Sequence, residues 1–250
     1  MKTVLHRVGY LMSCWLSCPR EGQPSSGPVE ADIADYLKPG DVLLVEGSSR
    51  LSVVIQYLTQ SSWSHAALYV GNERAKQYGD QEQGCFIEAD VAQGVRVVGL
   101  SEFEGCHLRI CRPIGLAEED IDRLIAYAGE RLGHQYDLHN IVDLARYFFP
   151  LPPIPQRFRK HFLTLGSGDP TRAICSTLIA QAFQSIHYPI LPVAVGVSAT
   201  AQPFARTNAF YLTQRHYSLF TPRDFDLSPY FAIVKPRLTK DFDPYRLHWK

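Results

Sequence analysis

Between Val42 and Cys111 the chain carries five short strand-like runs with no long helix between them, and this spacing constrains the fold more than any other feature. Parallel neighbours need a crossover of a dozen or more residues, usually a helix, whereas antiparallel ones join through short turns. Lys38-Pro39-Gly40-Asp41 reads as a turn, Val42 to Val45 as a buried strand, and Gly47-Ser48-Ser49 as its break. Leu51, Val54, Ile55 and Leu58 share one face of a short helix. Ser64 to Val70 alternates as a strand does, with His65, Ala67 and Tyr69 on one face and Ala66, Leu68 and Val70 on the other. Phe86 to Ala89 and Gly94 to Val98 lie either side of Gln93-Gly94, and Leu108 to Cys111 is the fifth run. An antiparallel, meander-like sheet is expected.

The second half changes period. Glu118-Glu119-Asp120 puts acids in a first helical turn, and Ile121, Leu124, Ile125, Ala128 and Leu132 follow at helical spacing up to Gly133. Asp137 can cap a helix through Leu138, Ile141, Val142, Ala145 and Phe149, stopped by Pro150. The tract Pro150 to Pro155 must be extended, and Arg157, Arg159, Lys160 and His161 then form a basic cluster interleaved with Phe158 and Phe162. That cluster reads as a solvated surface; the sharper alternative is a lid or a contact with anionic headgroups. A helix follows through Ile174, Leu178, Ile179, Ala182 and Phe183; Thr221-Pro222-Arg223-Asp224 is a capped turn and Tyr230 to Val234 a closing strand. The sum is one α+β domain over residues 29–250, carrying a Pro/basic insertion at 148–165.

Composition narrows the function classes. With 25 basic and 25 acidic residues in 250, the chain has no global positive excess with which to bind nucleic acid. At 46% hydrophobic it can bury a sizeable core, and no run of 18 apolar residues exists to cross a bilayer. Residues 1–28 stand apart as an amphipathic or signal-like segment plus linker. Leu5, Val8, Met12, Trp15 and Leu16 recur at helical spacing, while Leu11-Met12-Ser13-Cys14 approximates a lipoprotein cleavage box. The amphipathic reading puts the protein in the cytoplasm or peripherally on the inner membrane; an exported lipoprotein is the alternative.

The six cysteines, at 14, 18, 85, 106, 111 and 175, show neither disulfide-scaffold density nor a paired Cys-x-x-Cys zinc spacing. A zinc site from Cys85, Cys106, His107 and Cys111 is disfavoured, because alternation puts Cys106 and Cys111 on opposite strand faces. No metal and no cofactor is expected. Cys175 is different: it falls at or near a helix start after a Gly-rich loop, where unpaired N–H groups favour a thiolate. If Asp169 caps, the thiol lies a turn inside and the effect fades; if the helix starts near Ala173, the field is strongest. A lone helical Cys is otherwise packing. His65 can take a thiol proton, or can be a core histidine satisfied by a carbonyl. Glu88, in an apolar strand, is costly unless paired, and orienting an imidazole would pair it. Asp90, on the same strand face, is its rival.

The order of Lys38-Pro39-Gly40-Asp41, Trp63-Ser64-His65-Ala66-Ala67-Leu68-Tyr69-Val70-Gly71, Ile87-Glu88-Ala89 with Gly94-Val95, Gly133-His134-Gln135-Tyr136-Asp137 and Cys175-Ser176-Thr177-Leu178 resembles one family. It is the YiiX/YebB-like branch of circularly permuted NlpC-type, papain-like cysteine hydrolases, in which histidine and acid precede cysteine. The resemblance implies an antiparallel sheet packed on helices, with the nucleophile at a helix N-terminus. It implies Cys175 as nucleophile, His65 as general base and Glu88 as orienting acid, with the Tyr136 hydroxyl near the thiol. The family's usual aromatic residue before the nucleophile is Ile174 here, which alters the expected pocket. The implied reaction is cleavage of a peptide, peptidoglycan-fragment or acyl amide through a thioester. A lipid-directed acyltransferase or thioesterase of the same fold, or a non-catalytic binding module, are the alternatives. The amphipathic N-terminus and the basic tract leave a peripheral membrane contact open.

Overall fold

A computed structural model describes residues 33–78, 85–90, 93–134, 174–195 and 211–235. Residues 1–28, the expected helix after Asp137, the 148–165 insertion and Tyr136 lie outside the described residues. The apolar run after Asp41 forms β1 (Val42–Glu46), and Ser49 then caps α1 (Arg50–Thr59) by accepting from the Ser52 N–H at 3.1 Å. β2 (His65–Tyr69), β3 (Phe86–Asp90), β4 (Gly94–Val98) and β5 (His107–Pro113) follow. The four-residue α2 (Asn72–Ala75) sits between β2 and β3. α3 (Glu118–Gly129) and α4 (Ile174–Ser185) are the two twelve-residue helices. α5 (Pro222–Leu227) starts at the expected Thr221-Pro222 cap, and β8 (Phe231–Val234) closes the described chain. β6 (Val193–Val195) and β7 (Tyr211–Thr213) pair as a separate ribbon.

The main sheet is antiparallel throughout, with strand order β4-β3-β2-β1-β5-β8. The expected meander therefore holds for β1 to β4 only. β5 returns to the free side of β1, with Val42 opposite Cys111 and Val45 opposite Leu108, and β8 pairs with β5 on the outer edge. Alternation reads out the two faces. Val42, Leu44, Ala66, Leu68, Ile87 and Ala89 pack under α3 and α4, against Leu124, Ile125, Leu178, Ile179 and Phe183. Leu43, Val45, Ala67, Phe86, Val98 and Ile110 form the other face, covered by Ile33 and Phe103. The β4 edge is not bare: Gly133 donates its N–H to the Val95 carbonyl at 2.8 Å, and Val95 donates back to His134 at 3.0 Å. Gly133 needs its positive φ of 78° to make that turn off α3.

Candidate active site

β2 and β3 carry the first two candidates. Ala67 is opposite Glu88 in the pairing register, so His65, two residues earlier on the same face, is a diagonal neighbour of Glu88. His65 Nε2 and Glu88 Oε2 lie 2.7 Å apart. The carboxylate is buried and the imidazole is 24% exposed, so one end of the pair is dry and the other open. Ser64 fixes where His65 begins: its buried hydroxyl accepts from the Gly47 N–H at 3.0 Å and donates to the Val45 carbonyl at 3.3 Å. The Phe103 ring, 6.2 Å from the imidazole between centroids, backs it on the same face.

Cys175 arrives from the other half of the chain. It is the second residue of α4, is buried, and its thiol is within hydrogen-bonding reach of His65. α4 packs on the opposite sheet face, and the two residues lie at the starts of β2 and α4. With Nε2 on Glu88, Nδ1 is the ring nitrogen left for the thiol. Ser176 anchors the helix start, its buried hydroxyl donating to the Phe220 carbonyl at 2.7 Å. Cys175, His65 and Glu88 are thus brought together. Asp90, on the same strand face, instead turns back on its own chain, accepting from the Gln93 N–H at 2.7 Å.

The electrostatics follow from that geometry. Burial works against a protonated His65, but the Cys175 sulfur and the Glu88 carboxylate, through charge and hydrogen bond, hold its pKa well above the ordinary histidine value. Burial likewise opposes an ionised Glu88. The charges and hydrogen bonds of His65 and then Arg96 outweigh it, keeping the carboxyl below its usual range. Arg96 is the residue that sequence reasoning missed. It sits directly across from Glu88 in β4 and donates from Nε to Oε1 at 2.9 Å. Its signal was an arginine inside an otherwise apolar strand, legible only once the β3–β4 register is known.

Cys85 and Cys111 are buried packing residues. Burial pushes the Cys85 thiol up to about 11 and the Cys111 thiol up to about 12, and the two belong to cores on opposite sheet faces. Among the described residues no group of three or more His, Cys, Asp or Glu is arranged to hold a metal ion.

An α+β domain with its histidine and acid on early strands and its cysteine on a later helix has the element order expected from the resemblance to permuted papain-like proteins. A family model described as "Permuted papain-like amidase enzyme, YaeF/YiiX, C92 family" matches residues 36–149, so the first half of the chain is similar to that family. That span contains His65, Glu88 and Arg96 and ends before Cys175. The chain is similar to the probable lipoprotein peptidase YaeF of Escherichia coli K12, with 23% identity over 173 residues. This covers 63% of the chain and 59% of YaeF, so less than two thirds of that relative's length is spanned. The crystal structure of metalloprotein yiiX from Escherichia coli O157:H7 aligns over 80% of this chain and 97% of its own, at 15% identity and a TM-score of 0.45.

Proposed function

We propose that this protein is a cysteine hydrolase that cleaves a peptide-type amide bond through a thioester, with Cys175, His65 and Glu88 as its catalytic unit. The observation that carries this is the chain of contacts: a thiol within hydrogen-bonding reach of an imidazole whose other nitrogen lies 2.7 Å from a buried carboxylate. In the reaction, the Cys175 sulfur attacks the amide carbonyl carbon, and the imidazolium of His65 gives its proton to the departing amine as the C–N bond breaks. The tetrahedral oxygen is stabilised by N–H groups of the first turn of α4, which have no carbonyl partner within the helix. Water then attacks the thioester, His65 takes one of its protons, and the acid and the thiol are released. Glu88 holds the ring orientation and balances the charge that His65 carries. The amidase description of the matching family and the peptidase name of its relative favour a peptide-type substrate over a lipid acyl group.

The test combines labelling with turnover. Chloroacetamide at pH 8 is expected to alkylate Cys175 at least tenfold faster than Cys85 or Cys111, whose buried thiols stay protonated there. His65→Ala should remove that advantage. Against a panel of peptide, peptidoglycan-fragment and acyl-amide substrates, Cys175→Ala should abolish turnover, and His65→Ala should lower it by about 10²–10⁴-fold. Equal labelling of the three cysteines, or turnover that survives Cys175→Ala, would refute the assignment.

A further inference from the structure

Glu88 is used at both ends. Oε2 meets His65 at 2.7 Å, while Oε1 receives the Arg96 guanidinium twice, Nε at 2.9 Å and a terminal nitrogen at 2.7 Å. Arg96 is in turn held from outside: Glu102 accepts from its terminal nitrogen at 2.6 Å and the Gln93 side-chain oxygen from the other at 3.2 Å. The groups facing Glu88 are therefore His65 from β2, with Cys175 of α4 beyond it, and Arg96 from β4, with Glu102 of the Leu100–Phe103 turn beyond it. Asp90, next but one on β3, is engaged with Gln93.

A buried carboxylate with only a histidine for company is unreliable. His65 gives up its proton once per reaction cycle, and at that moment Glu88 would be an uncompensated buried anion, free to take a proton itself. Guanidinium does not deprotonate in proteins, so its charge persists whatever His65 does. Two donors on one oxygen also stop the carboxylate turning about its terminal bond, which fixes Oε2 on the imidazole.

Resting on the cysteine-hydrolase reading above, we propose that Arg96 is a positioning residue of this site: it pins Oε1 of Glu88 so that Oε2 stays on His65, and supplies the permanent countercharge that keeps Glu88 an anion through the cycle. Arg96 acts through Glu88 and does not touch the reacting atoms.

The test follows the His65 imidazole by long-range ¹H–¹⁵N spectra of histidine-labelled full-length protein, from pH 5 to 10. Wild type should titrate His65 well above an ordinary histidine. Arg96→Met should lower that midpoint by about one unit or more, because Glu88 without its countercharge takes up a proton and no longer holds one on the imidazole. Arg96→Lys, which keeps the charge but not the two-pronged grip, should hold the midpoint near wild type while slowing Cys175 alkylation severalfold. A high wild-type midpoint unmoved by Arg96→Met would overturn the role of Arg96 and leave the catalytic unit standing. An ordinary midpoint in wild type would overturn both. If Arg96→Met does not fold, Arg96→Lys decides alone: slowed alkylation at an unchanged midpoint supports the proposal, and wild-type alkylation or a lowered midpoint refutes it.

Discussion

His65 binds its proton more tightly in the folded protein than in the unfolded chain, and Glu88 binds its proton less tightly, so the pair links stability to pH from both sides. The His65 contribution is whole below the unfolded histidine value of about 6.5 and is lost as pH rises through the raised folded value. The Glu88 contribution is present above the unfolded carboxyl value of about 4.3 and is lost as pH falls through its lowered folded one. The stability advantage of wild type over His65→Ala should therefore be largest near pH 6 and shrink steadily toward pH 10, read from urea midpoints; a difference flat across that range would contradict the pairing. At this scale the sequence was informative about single strands and silent about pairs. Alternation alone put His65 with Ala67 and Tyr69, and Glu88 in a buried run. Glu88 rather than Asp90 was the expected partner of the imidazole from its apolar strand and the family resemblance, but recognising Arg96 required the cross-strand register, which depends on turn geometry rather than on local pattern.

α4 reaches the site because two unlike elements hold its first turn. Its apolar face packs on Ala66, Leu68 and Ile87, and Ser176 ties it to the Phe220 carbonyl just ahead of α5. α5 is itself capped: the Asp224 carboxylate accepts from the Thr221 N–H at 2.7 Å and hydroxyl at 3.0 Å, and from Arg215 at 3.1 Å. Ser176→Ala leaves a buried carbonyl without its donor, at a cost of about 1–3 kcal/mol. The expected result is a lower urea midpoint together with slower Cys175 alkylation, because the lost tie also sets where the thiol sits; full stability and full reactivity would show the tie to be incidental. Elements of five residues or more were readable from their periodicity and turn residues. α2, β6 and β7 were not, since four or three residues complete too few periods to stand out. The place of β5 beside β1 was hidden for another reason: its residues alternate equally well in any neighbour's company.

In the whole molecule the catalytic candidates come from the two halves of the chain, and what joins the halves is the first sheet face with its aromatic closure. Phe183 of α4, Tyr188, Phe225 of α5 and Phe231 of β8 stack at 5.1–6.3 Å between ring centroids. None of the helices among the described residues is long and apolar enough to cross a membrane. A chain cut after residue 210 keeps His65, Glu88 and Cys175 but loses β8, α5 and the Phe220 anchor. It should unfold without cooperativity and label Cys175 no faster than Cys85; a cooperative, fast-labelling fragment would show that the first 210 residues suffice. The strand order has a further consequence for timing. During synthesis the imidazole and its carboxylate are made about a hundred residues before the thiol, and the edge strand that locks the sheet emerges later still. The nascent chain thus carries His65 and Glu88 as a pair well before Cys175 can meet them, and the sheet that positions all three is complete only once β8 has left the ribosome.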